Sequence, residues 1–191
     1  GGISYVIFGS RKVSDIIGTP GNDQLLGTAA AEHFKAGAGD DTMIGNGGAD
    51  IFEGGEGNDA IWVPDLGFDW IFGNAGNDAL HLIGSGLELN LTNYASKLNG
   101  IEAIDLSGIG DNTLTLTVND VFNLSDSDTL IVDGDTGDRV IGLSNSWVEE
   151  GSDSHYLRYT QLGAVVMVDR AVSSDFSGIN LSGLDGTDGF R

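Results

Sequence analysis

Gly54-Gly55-Glu56-Gly57-Asn58-Asp59-Ala60-Ile61-Trp62 is the stretch that decides the fold of this chain. Two glycines are followed by a third, then by an acid two residues on, then by an apolar side chain two residues after the acid. Outward from it in both directions the acid recurs at Asp23, Glu32, Asp41, Asp50, Asp59, Asp69 and Asp78, every nine residues with one slip to ten. An apolar residue follows each acid at the same offset: Leu25, Phe34, Met43, Phe52, Ile61, Ile71 and Leu80. Glycine precedes most of the acids by two, at Gly21, Gly39, Gly48, Gly57, Gly67 and Gly76. Ordinary polar turns do not require acids locked in phase, so the segment from Gly18 to Ile83 is a repeat array.

These units resemble the RTX, or haemolysin-type calcium-binding, nonapeptide repeat. The resemblance implies an all-β chain whose residues 18–83 form a parallel β-roll (a β-helix), with a six-residue turn and a three-residue strand per unit. Units two apart then stack at ~4.8 Å with the middle apolar side chain inward. It also implies Ca2+ as cofactor, held by Asp23, Asp41, Asp59 and Asp78 along one edge and by Asp50 and Asp69 along the other. The remaining ligands it implies are the turn residues Gly18, Gly21, Asn22, Gly37, Gly39, Gly48, Gly55, Gly57, Asn58, Gly73, Gly76 and Asn77. Two carboxylates about 5 Å apart repel by roughly 3 kcal/mol at an effective dielectric near 20. A calcium ion between turns reverses that sign, because it accepts about six to eight oxygens, and glycine lets backbone carbonyls turn toward it. The second edge is interrupted by Ala30 in place of glycine, by Glu32 in place of aspartate, and by Pro64 in the unit with the extra residue. The first edge is therefore expected to hold the best sites.

Composition supports a cation-binding chain. Among 191 residues, 29 acids oppose 8 bases for a net charge of -21, which repels nucleic acid and anionic membranes. Hydrophobic residues make up 40%, too many for a solvated acidic tail. Cysteine is absent, so disulfides and thiolate metal sites are excluded and metal becomes the natural staple of a small extracellular module. No run of eighteen apolar residues suggests membrane insertion, and Gly1 to Gly9 does not read as a cleaved signal peptide.

The outward strand positions are polar in early units (Gln24, His33, Lys35, Thr42) and apolar in later ones (Ile51, Trp62, Trp70, Phe72). The downstream segment is expected to cover that dry end; a glycan or protein contact through Trp62 and Trp70 is the sharper alternative. Past Gly84 the nonapeptide stops. Alternation then predicts strands over 87–91, 101–106, 113–118, 129–132 and 165–168, with a turn or two of helix over 118–124 capped by Asn119 or Asp120. Residues 84–175 thus form a β-rich capping or continuation region, and Gly100 to Leu116 resembles segments that follow RTX repeats in large bacterial surface proteins. Asp133 to Asp138 alternates carboxylates either as a calcium loop lacking its distal glutamate or as a solvated turn. His33, His81 and His155 are too scattered for zinc.

Ile3 to Ser10, within an N-terminal strand segment 1–17, and Phe176 to Phe190, within a C-terminal segment 176–191, resemble FG-GAP repeats. That resemblance implies neighbouring domains of a longer chain. No H-E-x-x-H or G-x-S-x-G motif is present, so no catalysis is expected. The function these readings predict is a calcium-folded structural or adhesive module of a large type I secreted bacterial surface protein, with a host-surface or matrix glycan or protein as further partner. The alternatives are the calcium-binding tail of a secreted hydrolase and a glycan- or peptide-binding domain.

Overall fold

The apolar position of each repeat is a strand centre in the computed structural model, which describes residues 13–144, 146–176 and 179–180. The repeats lay down β1 (Ser14–Ile17), β2 (Gln24–Leu26), β3 (Glu32–Ala38), β4 (Thr42–Ile44), β5 (Ile51–Glu56), β6 (Ala60–Val63), β7 (Trp70–Ala75) and β8 (Ala79–Leu82). Strands are short because each runs only from an acid to the next glycine turn. Odd strands pair in parallel with odd ones and even with even, so the chain feeds two sheets alternately. Register follows the repeat: Leu25 lies against Met43, Met43 against Ile61 and Ile61 against Leu80 in one sheet, and Phe34 against Phe52 and Phe52 against Ile71 in the other. The rings of Phe34 and Phe52 stack at 4.7 Å. Every one of these inward residues is buried, and both sheets contribute to one hydrophobic core.

The second half prolongs the stack. After β9 (Glu88–Asn90) and the short helix α1 (Leu91–Tyr94), β10 (Leu98–Asn99) adds to the odd sheet beside β7. The strand β11 (Ala103–Asp105) pairs in parallel with β8, so Ile104 continues the Ile61–Leu80 column. Then come β12 (Thr113–Thr115), the helix α2 (Val118–Leu124), β13 (Thr129–Asp133), β14 (Arg139–Ile141), β15 (Val148–Ser152), β16 (Tyr156–Gln161), β17 (Ala164–Asp169), β18 (Ser173–Ser174) and β19 (Ile179–Asn180). The even sheet extends through β11, β13 and β17, after which β16 runs antiparallel to both β17 and β15. A third sheet, β9-β12-β14-β18, is parallel throughout. Strand-rich with few helices, the chain is all-β in class.

Three expectations change. Strands of the segment after Gly84 add to the ends of the sheets, because backbone pairing at an open edge satisfies main-chain polar groups. Trp70 consequently stays 40% exposed, with Phe72 stacked beside it at 5.9 Å. Trp62 is half-buried under the His81 ring at 4.2 Å, and His81 Nδ1 is held by Asp105 at 2.8 Å. The two tryptophans also sit on different sheets, so they do not form one platform. The helix over 118–124 forms, but Thr117 caps it: its hydroxyl accepts the Asp120 amide while Asp120 accepts the Thr117 amide. The FG-GAP-like segment 3–10, and all but Phe176, Ile179 and Asn180 of the second one, lie outside the described residues.

Candidate metal centre

The acids of alternate repeats are joined by a hydrogen-bond ladder. The Asp23 amide donates to Asp41 Oδ1 at 2.7 Å, the Asp41 amide to Asp59 Oδ1 at 2.9 Å and the Asp59 amide to Asp78 Oδ1 at 2.8 Å. The Asp78 amide continues it to Glu102 Oε2 at 2.9 Å. The second row is shorter: the Glu32 amide donates to Asp50 Oδ1 at 2.8 Å, and there the carboxylate ladder stops. At the slipped repeat Phe68 turns inward and Asp69 faces solvent, so Asp69 does not join the row.

Each ladder carboxylate has a second oxygen, and these are not alike. Those of Asp41, Asp59 and Asp78 are buried with no hydrogen-bond partner. An ionised oxygen in that position loses hydration with nothing in return, a cost of several kcal/mol. Burial accordingly pushes the Asp78 and Asp50 carboxyls up to about 6 and raises Asp59 as well; the amide bond each accepts opposes the rise and neighbouring carboxylates add to it.

Main-chain oxygens face the same spaces. A Cβ on Gly54 would sit 2.2 Å from Asp59 Oδ2 and 2.7 Å from the Gly73 carbonyl oxygen; one on Gly73 would sit 1.8 Å from the Gly100 carbonyl oxygen and 2.4 Å from Asp78 Oδ2. Glycine leaves a cradle there, lined by one carboxylate and one carbonyl from the next turn. Gly37, Gly39, Gly48, Gly55, Gly57 and Gly76 all have positive φ, which turns their peptide units toward the neighbouring turn. Gly18 approaches the Ala36 carbonyl in the same manner, whereas Gly21 has open space around it. The residue before each acid forms its own exposed ladder of opposite polarity: the Asp40 amide donates to Asn22, the Asn58 amide to Asp40 and the Asn77 amide to Asn58. The side-chain oxygens of Asn22 and Asn58 are thus engaged by amides.

Among the described residues no three His, Asp or Glu side chains gather as a metal cluster. A cation on these rows would draw most of its oxygens from backbone, which suits calcium, a hard ion content with carbonyls. The Asp133 to Asp138 segment does not offer such a set. Buried Asp138 accepts the amides of Asn112 and Asp135, both at 2.8 Å, and Asp133 accepts the Tyr156 hydroxyl at 2.6 Å.

Stacked glycine turns carrying buried rows of acids define a cation-binding repeat protein. Here the repeats are those of the RTX calcium-binding nonapeptide repeat family, which matches residues 26–61 and 65–82 in four copies. Such repeats bind Ca2+, act as structural rather than catalytic modules and are typical of secreted bacterial proteins. Comparison with curated proteins finds no match. No helix among the described residues is long and apolar enough to cross a membrane.

Proposed function

We propose that the chain is a calcium-conditional folding module of a large secreted bacterial surface protein, with residues 18–83 as a parallel β-roll and 84–175 as its continuation and cap. The observation that supports this most is the set of bare, buried oxygens on Asp41, Asp59 and Asp78. At low calcium these carboxylates are desolvated, stacked and mutually repulsive, so the chain remains threadable for export. Near millimolar calcium, a site with Kd ~10⁻⁴ M adds about 1.4 kcal/mol, and several such sites drive folding together. Bound calcium supplies the positive charge that these oxygens lack. In a longer chain this converts a flexible segment into a rigid spacer outside the cell, the role expected of an adhesin module.

The test is a calcium titration of the chelated full chain followed by far-ultraviolet circular dichroism. A cooperative gain of β signal with a midpoint between roughly 10⁻⁵ and 10⁻³ M is expected. A β signal already complete in excess chelator contradicts conditional folding.

A further inference from the structure

Apart from the slipped repeat, which has Pro64 there, the second residue of each turn divides the repeats into two kinds. Gly37, Asn46, Gly55 and Asn74 occupy that position with φ of 115°, 63°, 120° and 72°. Thr19 and Thr28 occupy it in the first turn of each row and are not among the positive-φ residues. A β-branched side chain resists that region, so the threonine amides stay turned toward the acid four residues on. The Thr19 amide and hydroxyl both donate to Asp23 Oδ2, at 2.5 and 2.9 Å. The Thr28 amide donates to Glu32 Oε2 at 3.0 Å and its hydroxyl to Glu32 Oε1 at 2.6 Å. The oxygen left bare on Asp41, Asp59 and Asp78 is therefore satisfied on Asp23 and Glu32 by the chain itself.

We propose that Thr19 and Thr28 are locks that take the place of a cation in the first turn of each row, so that ion binding on the long row begins at Asp41. The inference rests on the calcium reading of the site. Glu32 and Ala30 then cease to be defects of the repeat: the longer acid reaches both donors of Thr28, and no carbonyl need be aimed at an ion. The residue after the first glycine becomes a code, in which glycine or asparagine opens a turn to calcium and threonine closes it. The long row holds three ions, at Asp41, Asp59 and Asp78, and the first turns hold none.

Calcium stoichiometry of the full chain, measured by equilibrium dialysis and isothermal titration, tests this. Asp23→Asn and Glu32→Gln are expected to keep the wild-type ion count with affinities within twofold, whereas Asp59→Asn loses at least one ion. Thr19→Gly is expected to gain one. Loss of an ion or a tenfold loss of affinity in Asp23→Asn or Glu32→Gln overturns the proposal. Should a variant fail to fold, anomalous scattering from crystals of the wild-type chain loaded with Tb3+ decides: peaks beside Asp41, Asp59 and Asp78 but none within 18–23 or 27–32 are expected, and a peak in either first turn refutes the locks. A wild-type chain that binds no calcium refutes the calcium reading instead, a result distinct from either.

Discussion

Asp78 accepts the Asp59 amide with one oxygen and leaves the other bare, at zero solvent exposure. Asp78→Asn retains an oxygen for that amide and removes the charge. In excess chelator the variant should then show more β signal than the wild type while binding less calcium, the opposite of what a purely structural aspartate gives. The pH dependence of the calcium-free chain follows from the same residues. The carboxyls of Asp50 and Asp78 are raised from 3.8 to about 6 on folding, so the folded state holds more protons than the unfolded one in that window. Their stabilising contribution is complete below about pH 4 and is lost as pH rises through about 6, by up to about 3 kcal/mol for each. Chelated samples should therefore show more β signal by circular dichroism at pH 4.5 than at pH 7.5; the reverse order would contradict the burial assigned to these groups. Most of this row was legible in the sequence, because nine-residue phasing fixes which acids share an edge. Glu102 was not, since it stands 24 residues beyond Asp78 and out of phase. Its own signal was the triplet Glu102-Ala103-Ile104, an acid two residues before a core apolar. Asn112 before Leu114 and Asp138 before Val140 carry that signal as well, and both sit at turns of the third sheet.

Within a single turn, glycines of one motif have unequal duties. Gly55 has φ of 120°, and a Cβ there would lie 1.9 Å from the Gly37 carbonyl oxygen; around Gly21 nothing lies within 4 Å. Gly55→Ala should cost about 3 kcal/mol or more and Gly21→Ala within about 0.5 kcal/mol, as read by thermal melting in saturating calcium. At the other end of the chain, Thr117→Ala removes the hydroxyl that accepts the Asp120 amide in the α2 capping box, leaves the backbone half of the box in place, and should cost about 1 kcal/mol without changing the calcium count. Strand positions in the second half were readable from alternation where the apolar residues are β-branched or aliphatic, as in β13 and β17. The strands β15 and β16 carry Glu149, Glu150, Arg158 and Thr160 among their residues and gave no such pattern. They are strands because β17 offers them an edge, a tertiary cause that no local window contains.

Across the molecule, columns of buried side chains pass Gly84 without a break: Leu80 lies against Ile104, and Ile104 against Val132, which in turn lies against Val168. A fragment ending at Ile83 would present Leu80 and Leu82, both at most 1% exposed here, on an uncovered edge. It should fail to reach the full β signal even in 10 mM calcium, and addition of residues 84–175 should restore it; a fragment that folds alone would make 18–83 an independent unit. The sequence left capping and continuation both open past Gly84, because the nonapeptide period disappears there while the strand pairing does not.

Parallel coils laid edge on edge have no intrinsic length, and any copy offering a matching edge can in principle add to them. The hairpin of β16 and β17 changes that. Its reversal of strand direction puts an antiparallel partner where the next parallel rung would dock. That sheet thereby carries its own end-stop against growing into a fibre, a safeguard that calcium binding alone does not supply.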